Sequence, residues 1–213
     1  MDLQSIRRDY NIGHLTESDV PNTPFQLFES WLNNAVECGL NSDPTAMTVA
    51  TVDSQGHPSQ RIVLLKGFDE SGLRFFTNKQ SHKGKDIALN PKVSCHFAWL
   101  ALERQVHFRG HADPLSEQEN DEYFYSRPFE SQVAALISNQ SQPIGSRDEL
   151  VRYYQEQLEQ YQGKQVPRPQ HWGGYRIVPS EVEFWQGGEH RLHDRFIYRL
   201  ESADNWSVQR LQP

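Results

Sequence analysis

The chain has 213 residues, 36% of them hydrophobic and 23% charged, which is typical of a soluble globular protein with one large domain or two small ones. With 21 Lys and Arg against 28 Asp and Glu the net charge is −7, which argues against a nucleic-acid coat or a polybasic membrane binder. No apolar run is long enough to cross a membrane, and the N-terminus lacks the apolar segment of a signal peptide. Two widely spaced cysteines, Cys38 and Cys95, indicate a reduced, cytoplasmic protein.

The N-terminal part of the sequence predicts an arm followed by a helix. Residues 1–20 are polar and mixed in charge, so we expect a flexible arm (1–20) in front of a single domain (21–213). Thr23 followed by Pro24 is a typical helix start. Apolar residues then recur at helical spacing, which predicts one buried face and an end near residues 38–39. They are Phe25, Phe28, Leu32 and Val36.

From Ala46 onward the pattern is that of short strands separated by turns. The predicted strands span 47–52, 61–66, 73–77, 93–99, 104–110, 175–178, 181–186, 195–200 and 206–211. A short helix is predicted over 81–89, capping boxes at Ser116 and Ser146 predict two more helices, and residues 162–169 form a polar loop. The fold class is therefore mainly β with α additions, an antiparallel barrel.

Histidine pairs raise the question of a metal site. His107 and His111 lie four residues apart on a predicted strand, where side chains share a face at too long a distance for one ion. The other close pair is His190 with His193. Surface or hydrogen-bonded histidines are the favoured interpretation, and no metal site is predicted.

Cations in two places suggest an anionic ligand. Arg61 and Lys66 flank an apolar run five residues apart, so on a strand they point to opposite faces. Ser81-His82-Lys83-Gly84 begins a helix, where free N–H groups and a lysine form an anion site. Taken alone, an ordinary capped and solvated turn remains the favoured interpretation of this second motif.

A third set of donors follows in the motif YFYSRP (123–128). Tyr123, Arg127 and Ser131 lie at positions i, i+4 and i+8, and their hydroxyl and guanidinium groups suit the oxygens of a phosphomonoester. Pro128 complicates a continuous helix, because it disfavours helical geometry at Arg127. Packing and surface roles are the common alternative for Tyr and Arg on helices.

Residues 183–195, EFWQGGEHRLHDR, are the densest cluster of chemically active side chains. Arg191, His193 and Arg195 alternate, so we expect them to project from one face of a strand. A cationic face beside Trp185 suits an aromatic, anionic ligand through stacking and charge. A solvated edge strand with salt bridges is the alternative.

These stretches together resemble the FMN-dependent pyridoxamine/pyridoxine 5′-phosphate oxidase family. The similarity runs from about Arg7 to the C-terminus. It is carried, in chain order, by DPTAM (43–47), RIVLLKG (61–67), FFTN (75–78), SHKG (81–84), LERQV (102–106), YFYSRP (123–128), SNQS (138–141), VPRP (166–169), WGGYR (172–176) and EFWQGGEHRLHDR (183–195).

The resemblance implies an FMN-binding split β-barrel that forms a homodimer, with FMN at the interface and some contacts supplied by the partner chain. The C-terminal part of the domain is implied to serve dimerisation and substrate binding. The implied FMN contacts are Arg61, Ile62, Val63, Leu64, Phe76, Thr77, His82, Lys83, Gln105, Gln140, Ser141, Trp185 and Arg195.

The resemblance also implies a substrate site and a reaction. The implied ligands of the substrate phosphate are Lys66, Tyr123, Arg127 and Ser131. Arg191 and His193 are implied to lie at the reacting carbon as catalytic residues. More weakly, Arg7, Arg8 and Tyr10 match a segment that closes over the substrate in relatives. The implied reaction oxidises pyridoxine or pyridoxamine 5′-phosphate to pyridoxal 5′-phosphate with dioxygen, and it releases hydrogen peroxide and, from the amine, ammonia.

One departure from the family pattern concerns His82, which stands where many relatives carry arginine. A neutral imidazole offers one donor in place of a charged fork, so we expect weaker and more pH-dependent FMN retention. Two other functions stay open: a split-barrel flavoprotein with a different substrate, and a non-catalytic binder of FMN or pyridoxal phosphate. A nucleic-acid module is the least favoured, given the net charge and the lack of a basic stripe.

Overall fold

The computed structural model describes residues 1–4, 8–39, 43–203 and 205–213. The helices are α1 (Pro24–Glu37), α2 (His82–Leu89), α3 (Glu117–Ser126), α4 (Phe129–Ile137) and α5 (Arg147–Tyr161). The strands are β1 (Ala46–Val52), β2 (Pro58–Leu64), β3 (Gly67–Asp69), β4 (Gly72–Asn78), β5 (Lys92–Trp99), β6 (Arg104–Pro114), β7 (Trp172–Gln186), β8 (Asp194–Ser202) and β9 (Asn205–Leu211).

All nine strands belong to one antiparallel sheet that divides at β7. Its main path runs β2-β1-β5-β6-β7-β4-β3, and β8 and β9 branch from β7. The first half of β7, residues 172–177, pairs with β4, whereas residues 181–186 pair with β8. Strand β6 pairs with β7 along almost its whole length. This division confirms the predicted mainly β, split-barrel fold.

Two hydrophobic clusters hold the sheet and helices together. The larger one packs α1 on the inner face of the sheet, where Phe28 is fully buried and contacts Phe97 and Phe108 at ring-centroid distances of 5.0 Å each. The smaller cluster joins α3, α4 and the start of β7 around Phe124 and Trp172. Burying a side chain of the size of Phe28 stabilises the fold by about 1.5–3 kcal/mol.

Several predicted element boundaries are confirmed. Helix α1 begins after Thr23, and α2 begins after Ser81, whose hydroxyl accepts a hydrogen bond from the Gly84 N–H. Strands β5 and β6 form the predicted hairpin. The predicted break at Pro128 is also present, because Arg127 is extended and separates α3 from α4.

Other expectations about the elements are wrong. Helix α4 was not predicted as a separate element, and β2 ends at Leu64, so Lys66 lies beyond the strand that carries Arg61. The strands predicted at 175–178 and 181–186 are one strand, because the ladder tolerates Pro179 through an irregularity opposite Gly110. In α1 the buried face includes Trp31 and Ala35 and excludes Val36, which is 54% exposed.

The capping box predicted at Ser146 is only half formed. The Ser146 hydroxyl accepts from the Glu149 N–H, but the Glu149 carboxylate accepts from the Gly145 N–H instead of the Ser146 N–H. At Ser116 both halves of the box are present. Among the described residues, no helix has the length and apolar character that a membrane span requires.

The N-terminal arm is held against the sheet at several points. Glu17 pairs with Arg210 of β9 at 2.7 Å, and the Leu15 N–H donates to the Asp194 carboxylate at 3.0 Å. Farther toward the N-terminus, the Glu103 carboxylate accepts from the Ile12 N–H at 3.0 Å. These contacts define the path of residues 12–17, while the flexibility of the arm stays a prediction.

Candidate functional site

A cavity of about 420 Å³ lies between β2, β4, the start of α2 and the junction of α3 with α4. It brings together ten residues that the family resemblance assigned to ligand binding, although they come from five separate motifs. These residues are Ile62, Val63, Leu64, Lys66, Phe76, Thr77, Lys83, Tyr123, Arg127 and Gln140.

The charge of this cavity is opposite to that of the chain. Three cations line it, Lys66, Lys83 and Arg127, and the described lining residues include no Asp or Glu. The chain as a whole carries a net charge of −7. Three positive groups around one cavity without a carboxylate form an environment that favours an anionic ligand.

Lys83 is the most buried of these cations. It is 8% exposed, and its Nζ donates to Thr77 Oγ1 at 3.1 Å and to Gln140 Oε1 at 3.0 Å, both neutral oxygens. Burial, and then the nearby charge of Arg61, lower the pKa of Lys83. A buried ammonium without a counter-ion costs free energy, which a bound phosphate would offset.

Gly84 lets the backbone start α2 close to the preceding turn. A Cβ at this position would clash with the carbonyl of Lys79. Because Ser81 caps the helix and Gly84 permits this approach, Lys83 is held at the helix N-terminus, where free N–H groups also favour an anion.

Arg61 is near this cation cluster but does not line the cavity. Its guanidinium donates to Thr51 Oγ1 at 2.8 Å and to Ser59 Oγ at 2.6 Å. The buried Asp86 in turn accepts from the Thr51 hydroxyl at 2.6 Å. Neither Thr51 nor Asp86 could be predicted from the sequence, since their role depends on the pairing of β1 with β2 and on the packing of α2.

Arg127 and an aromatic stack form the opposite wall of the cavity. The guanidinium lies 5.0 Å from the Trp172 ring centroid, and its buried Nη1 has no hydrogen-bond partner in the described chain. Phe76 is stacked on Tyr123 at 4.0 Å and on Trp172 at 5.4 Å. An orphaned buried guanidinium N–H beside a tyrosine fits a phosphate oxygen. Ser131, on α4, is not part of this lining.

His82 and Ser141 lie beside the cavity and are exposed. The His82 backbone N–H donates to Ser141 Oγ at 3.2 Å, which connects the start of α2 to the loop after α4. Ser141 adopts the left-handed conformation, with φ of 71°. Their imidazole and hydroxyl groups are therefore available at the rim of the cavity, next to Lys83.

A second group of predicted residues lies across β6, β7 and β8. Gln105 pairs with Trp185, and Trp185 pairs with Arg195, so the three side chains stand side by side on one face of the sheet. His193 lies against Trp185, with 4.6 Å between ring centroids, and Tyr10 packs edge-on against the same indole at 5.7 Å. We call these five residues, together with the neighbouring Arg191 described next, the aromatic row.

The expected alternation of Arg191, His193 and Arg195 on one strand face is wrong. Strand β8 begins only at Asp194, and Arg191 ends a short 3₁₀ turn with a left-handed backbone, φ 64°. Arg191 is exposed, yet it is close enough to influence His193: burial, and then the charge of Arg191, lower the pKa of His193. The His193 Nδ1 accepts from the Gly188 N–H at 3.1 Å, so its neutral form carries the proton on Nε2.

Glu103 fixes the arm residues that reach the aromatic row. Its carboxylate, 2% exposed, pairs with Arg8 at 3.2 Å, and this contact places Tyr10 against His193 at 5.2 Å. Gly187 is required here, because a Cβ would lie 2.6 Å from the Tyr10 ring. The third predicted arm residue, Arg7, lies outside the described residues.

Five cavity residues were not predicted as site residues: Ala134 and Ala135 of α4, and three residues that lie within quoted motifs, Asn78, Ser138 and Trp172. Asn78, the last residue of FFTN, is buried and donates to the Ser138 carbonyl at 2.8 Å, which holds the loop that carries Gln140. Trp172, the first residue of WGGYR, supplies the ring under Arg127. Ser138 itself lines the cavity. For these three, motif membership was the available signal.

The cavity and the aromatic row are distant from each other along the sheet. A line of directly paired residues crosses the sheet from the cavity wall on β2 to β7; we call it the connecting register. In order, its members are Ile62, Thr48, His96, His107 and Glu183. Four strand spacings of about 4.8 Å make this path roughly 19 Å long. Within one chain, the two groups of predicted residues therefore lie apart, and the described lining of the cavity includes no residue of the row.

Family models match nearly the whole chain. A model described as pyridoxamine 5′-phosphate oxidase matches residues 33–186, and one described as the C-terminal dimerisation region of pyridoxine 5′-phosphate oxidase matches residues 172–213. The pyridoxine/pyridoxamine 5′-phosphate oxidase of Idiomarina loihiensis is 56% identical over 213 residues, 100% of both chains. The protein of the same name from Vibrio cholerae serotype O1 is 53% identical over 213 residues, again 100% of both.

Solved structures show the same fold. PhzG from Burkholderia lata 383, in complex with tetrahydrophenazine-1-carboxylic acid, superimposes with a TM-score of 0.87 at 31% identity and covers 93% of this chain and 98% of its own. A pyridoxamine 5′-phosphate oxidase-related, FMN-binding protein from Nostoc punctiforme PCC 73102 gives a TM-score of 0.72 at 15% identity, with 90% and 98% covered.

Fold and site together define a split-barrel protein whose cavity suits an anionic ligand. The family models and the full-length relatives make the assignment narrower: the chain belongs to the pyridoxine/pyridoxamine 5′-phosphate oxidase family.

Proposed function

We propose that this protein oxidises pyridoxine 5′-phosphate and pyridoxamine 5′-phosphate to pyridoxal 5′-phosphate, with FMN as cofactor and dioxygen as electron acceptor, in the formation of the vitamin B6 cofactor. The observation that carries the proposal is the cavity, where three cations and an aromatic stack face one another without a carboxylate among the described lining residues. Family membership supports the same reaction.

The residues at the α2 end of the cavity fit a flavin phosphate. Lys83 is a buried cation with neutral partners, Thr77 and Gln140 stand beside it, and Arg61 adds a second positive charge nearby. His82 and Ser141 are available at the rim, and the extended backbone of residues 62–64 forms one wall. Bound FMN would supply the redox chemistry, accepting two electrons from the substrate and passing them to dioxygen.

The residues at the other end fit the phosphate of the substrate. The unpartnered Nη1 of Arg127, the Tyr123 hydroxyl and the Lys66 ammonium can each donate to a phosphate oxygen. Ser131, in the first turn of α4, is proposed as a further donor. Binding the phosphate at a distance from the reacting carbon lets this binding energy orient the carbon for reaction.

We propose that the aromatic row completes the site from a partner subunit in a homodimer, with FMN at the interface. The row and the cavity are roughly 19 Å apart along one sheet, so a two-fold axis between chains would bring one chain's row to the other's cavity. The match of residues 172–213 to a dimerisation region supports a dimer in which β8 and β9 take part.

Within the row, Arg191 and His193 are proposed to act at the reacting carbon. Because the His193 Nδ1 accepts from the Gly188 N–H, the ring is oriented and its Nε2–H is free to donate to the substrate. The exposed Arg191 guanidinium is free to hold the substrate ring by charge and stacking. Gln105, Trp185 and Arg195 would contact the flavin, and Arg8 and Tyr10 would exclude water.

A visible spectrum of the protein with FMN, taken before and after anaerobic addition of pyridoxine 5′-phosphate, tests the proposal. We expect the flavin band to bleach and to return in air, with pyridoxal 5′-phosphate and hydrogen peroxide formed in equal amounts. Pyridoxamine 5′-phosphate should give ammonia in addition. A bound flavin that does not respond to either substrate would assign the cavity to a different substrate, and a protein that does not bind FMN would contradict the proposal altogether.

A further inference from the structure

Two histidines are stacked in the middle of the register that connects the cavity to the aromatic row. His96 of β5 pairs directly with His107 of β6, and their ring centroids are 4.1 Å apart with a tilt of 41°. The proposed reaction uses neither of them. They share one face of the sheet with Ile62 at one end of the register and Glu183 at the other.

His96 makes a side-chain hydrogen bond to a proposed flavin contact. Its Nε2 lies 3.1 Å from Gln105 Oε1. Because an amide oxygen only accepts, the imidazole N–H is the donor. The Gln105 oxygen is thereby occupied, and the two N–H donors of the same amide are left for a ligand.

We propose that His96 is a positioning residue that fixes the Gln105 amide with its N–H donors presented to the cofactor. This inference rests on the proposed function, since it assumes that FMN lies against Gln105. The flavin ring system carries carbonyl oxygens that accept such N–H donors. A reversed amide would present an oxygen to those carbonyls and would repel them.

His96 can donate to Gln105 in either charge state. Burial lowers the pKa of His96, while its bond to Gln105 acts in the opposite direction. The pKa of His107 is also lowered, first by burial and then by the neighbouring His96. Of the charged groups around His107, Glu183 acts to raise this pKa, whereas Arg109 and Arg195 act to lower it. Since both the neutral Nε2–H form and the imidazolium donate from Nε2, the hydrogen bond to Gln105 persists in either state.

His107 is a matched control for this role. It shares the stacked geometry and packs on His96, but it has no hydrogen bond to Gln105 among the described contacts. His96→Phe removes the donor and keeps an aromatic ring against His107. His96→Gln removes the ring and restores an amide N–H at nearly the same reach, and His107→Phe alters the neighbouring ring alone.

The test titrates each apoprotein with FMN by flavin fluorescence and measures the midpoint potential of the bound flavin. We expect His96→Phe to raise the Kd for FMN roughly three- to tenfold, as for the loss of one hydrogen bond, and to shift the potential to a more negative value. A donor to a flavin carbonyl stabilises the electron-rich reduced form, so its loss disfavours reduction. His96→Gln should restore both quantities in large part, and His107→Phe should leave both near wild type.

The outcomes separate this inference from the proposed function. If wild-type protein binds FMN and His96→Phe has the same Kd and the same potential, the positioning role of His96 is wrong and the proposed function stands. If His107→Phe has effects as large as His96→Phe, the pair acts through packing and the inference is overturned. If the wild type does not bind FMN, the proposed function fails and this inference fails with it.

Discussion

The positively charged side chains of the cavity and those of the aromatic row have different partners. In the cavity, Lys83 donates to neutral oxygens and Arg127 lies over an aromatic ring. The described lining of the cavity contains no carboxylate. In and beside the row, Arg195 pairs with Glu183 at 2.7 Å and Arg8 pairs with Glu103 at 3.2 Å. The difference indicates that the positive charges of the cavity suit a bound anion, whereas the row offers aromatic surface for stacking and hydrogen-bond donors that are held in place.

The two regions also differ in enclosure. The cavity is bounded by strands and helices that the smaller hydrophobic cluster holds in place. The row lies on a sheet face beside an exposed turn, in which Leu192 is 70% exposed. We propose that this surface is half of a site and that a second copy of the chain supplies the other half.

The largest expected effect comes from the row. Arg191→Ala should lower turnover about a hundredfold, since a group that orients the reacting ring is removed, while FMN binding should stay as in wild type. Steady-state kinetics and an FMN titration on the same preparation measure the two effects. Arg199→Ala, an exposed arginine farther along β8, is the control and should leave turnover unchanged. Unaltered turnover in Arg191→Ala would reject the catalytic role of the row.

In the cavity, Lys83→Met should weaken FMN binding by about 2–3 kcal/mol, which is roughly a 30- to 150-fold increase in Kd, as expected for the loss of a charged hydrogen bond to phosphate. The apoprotein should not lose thermal stability, because the substitution removes a buried cation without a counter-ion. Lys85→Met, on the exposed side of the same helix, is the control. Equal FMN affinity in both variants would mean that the phosphate binds elsewhere.

A smaller effect is expected at the rim. A neutral imidazole offers one donor where arginine offers a charged fork, so we expect weaker and more pH-dependent FMN retention than with arginine at position 82. His82→Arg should bind FMN a few-fold more tightly and with less dependence on pH, because guanidinium stays charged. Titrations across pH 6 to 8 measure this, and an affinity that does not differ from wild type would contradict it.

The smallest expected effect is on the pH dependence of stability, through His96 and His107 between the two regions. Burial lowers the pKa of His96 and His107 in the folded protein, so below about pH 6.5 the unfolded chain binds more protons at these positions. Their contribution therefore destabilises the fold as the pH falls from 7 to 5. The urea midpoint of the apoprotein should fall over this range, and it should fall less in the double variant His96→Phe, His107→Phe. Equal slopes would exclude the pair as a source of pH dependence.

Local chemistry in the sequence predicted the elements that carry the site. Ser81 as a helix cap, the break at Pro128 and the β5–β6 hairpin each follow from a few neighbouring residues. Motif resemblance named ten of the cavity residues, and the structure brings those ten together. The predictions that were wrong depended on contacts between residues distant in the sequence. Strand β7, for example, continues through Pro179 because the pairing with β6 shifts at Arg109 and Gly110.

The proposed division of the site between two chains was implied by the family resemblance, whereas residue spacing alone did not predict it. Arg191 was expected on a strand with Arg195, but the left-handed turn before β8 places it elsewhere. The separation of Trp185 from the cavity follows from strand order, which local patterns do not specify. The link between His96 and Gln105 is likewise a product of register.

Activity of a hybrid dimer tests the two-chain site most directly. Arg127→Ala impairs the cavity and Arg191→Ala impairs the row, so each variant alone should be nearly inactive at limiting substrate. Co-expressed with two different tags and purified through both, the hybrid carries one site with neither change and one with both, so we predict about half of wild-type activity per dimer. A hybrid no more active than its parents would show that cavity and row of the same chain act together, and would contradict a site shared between two subunits.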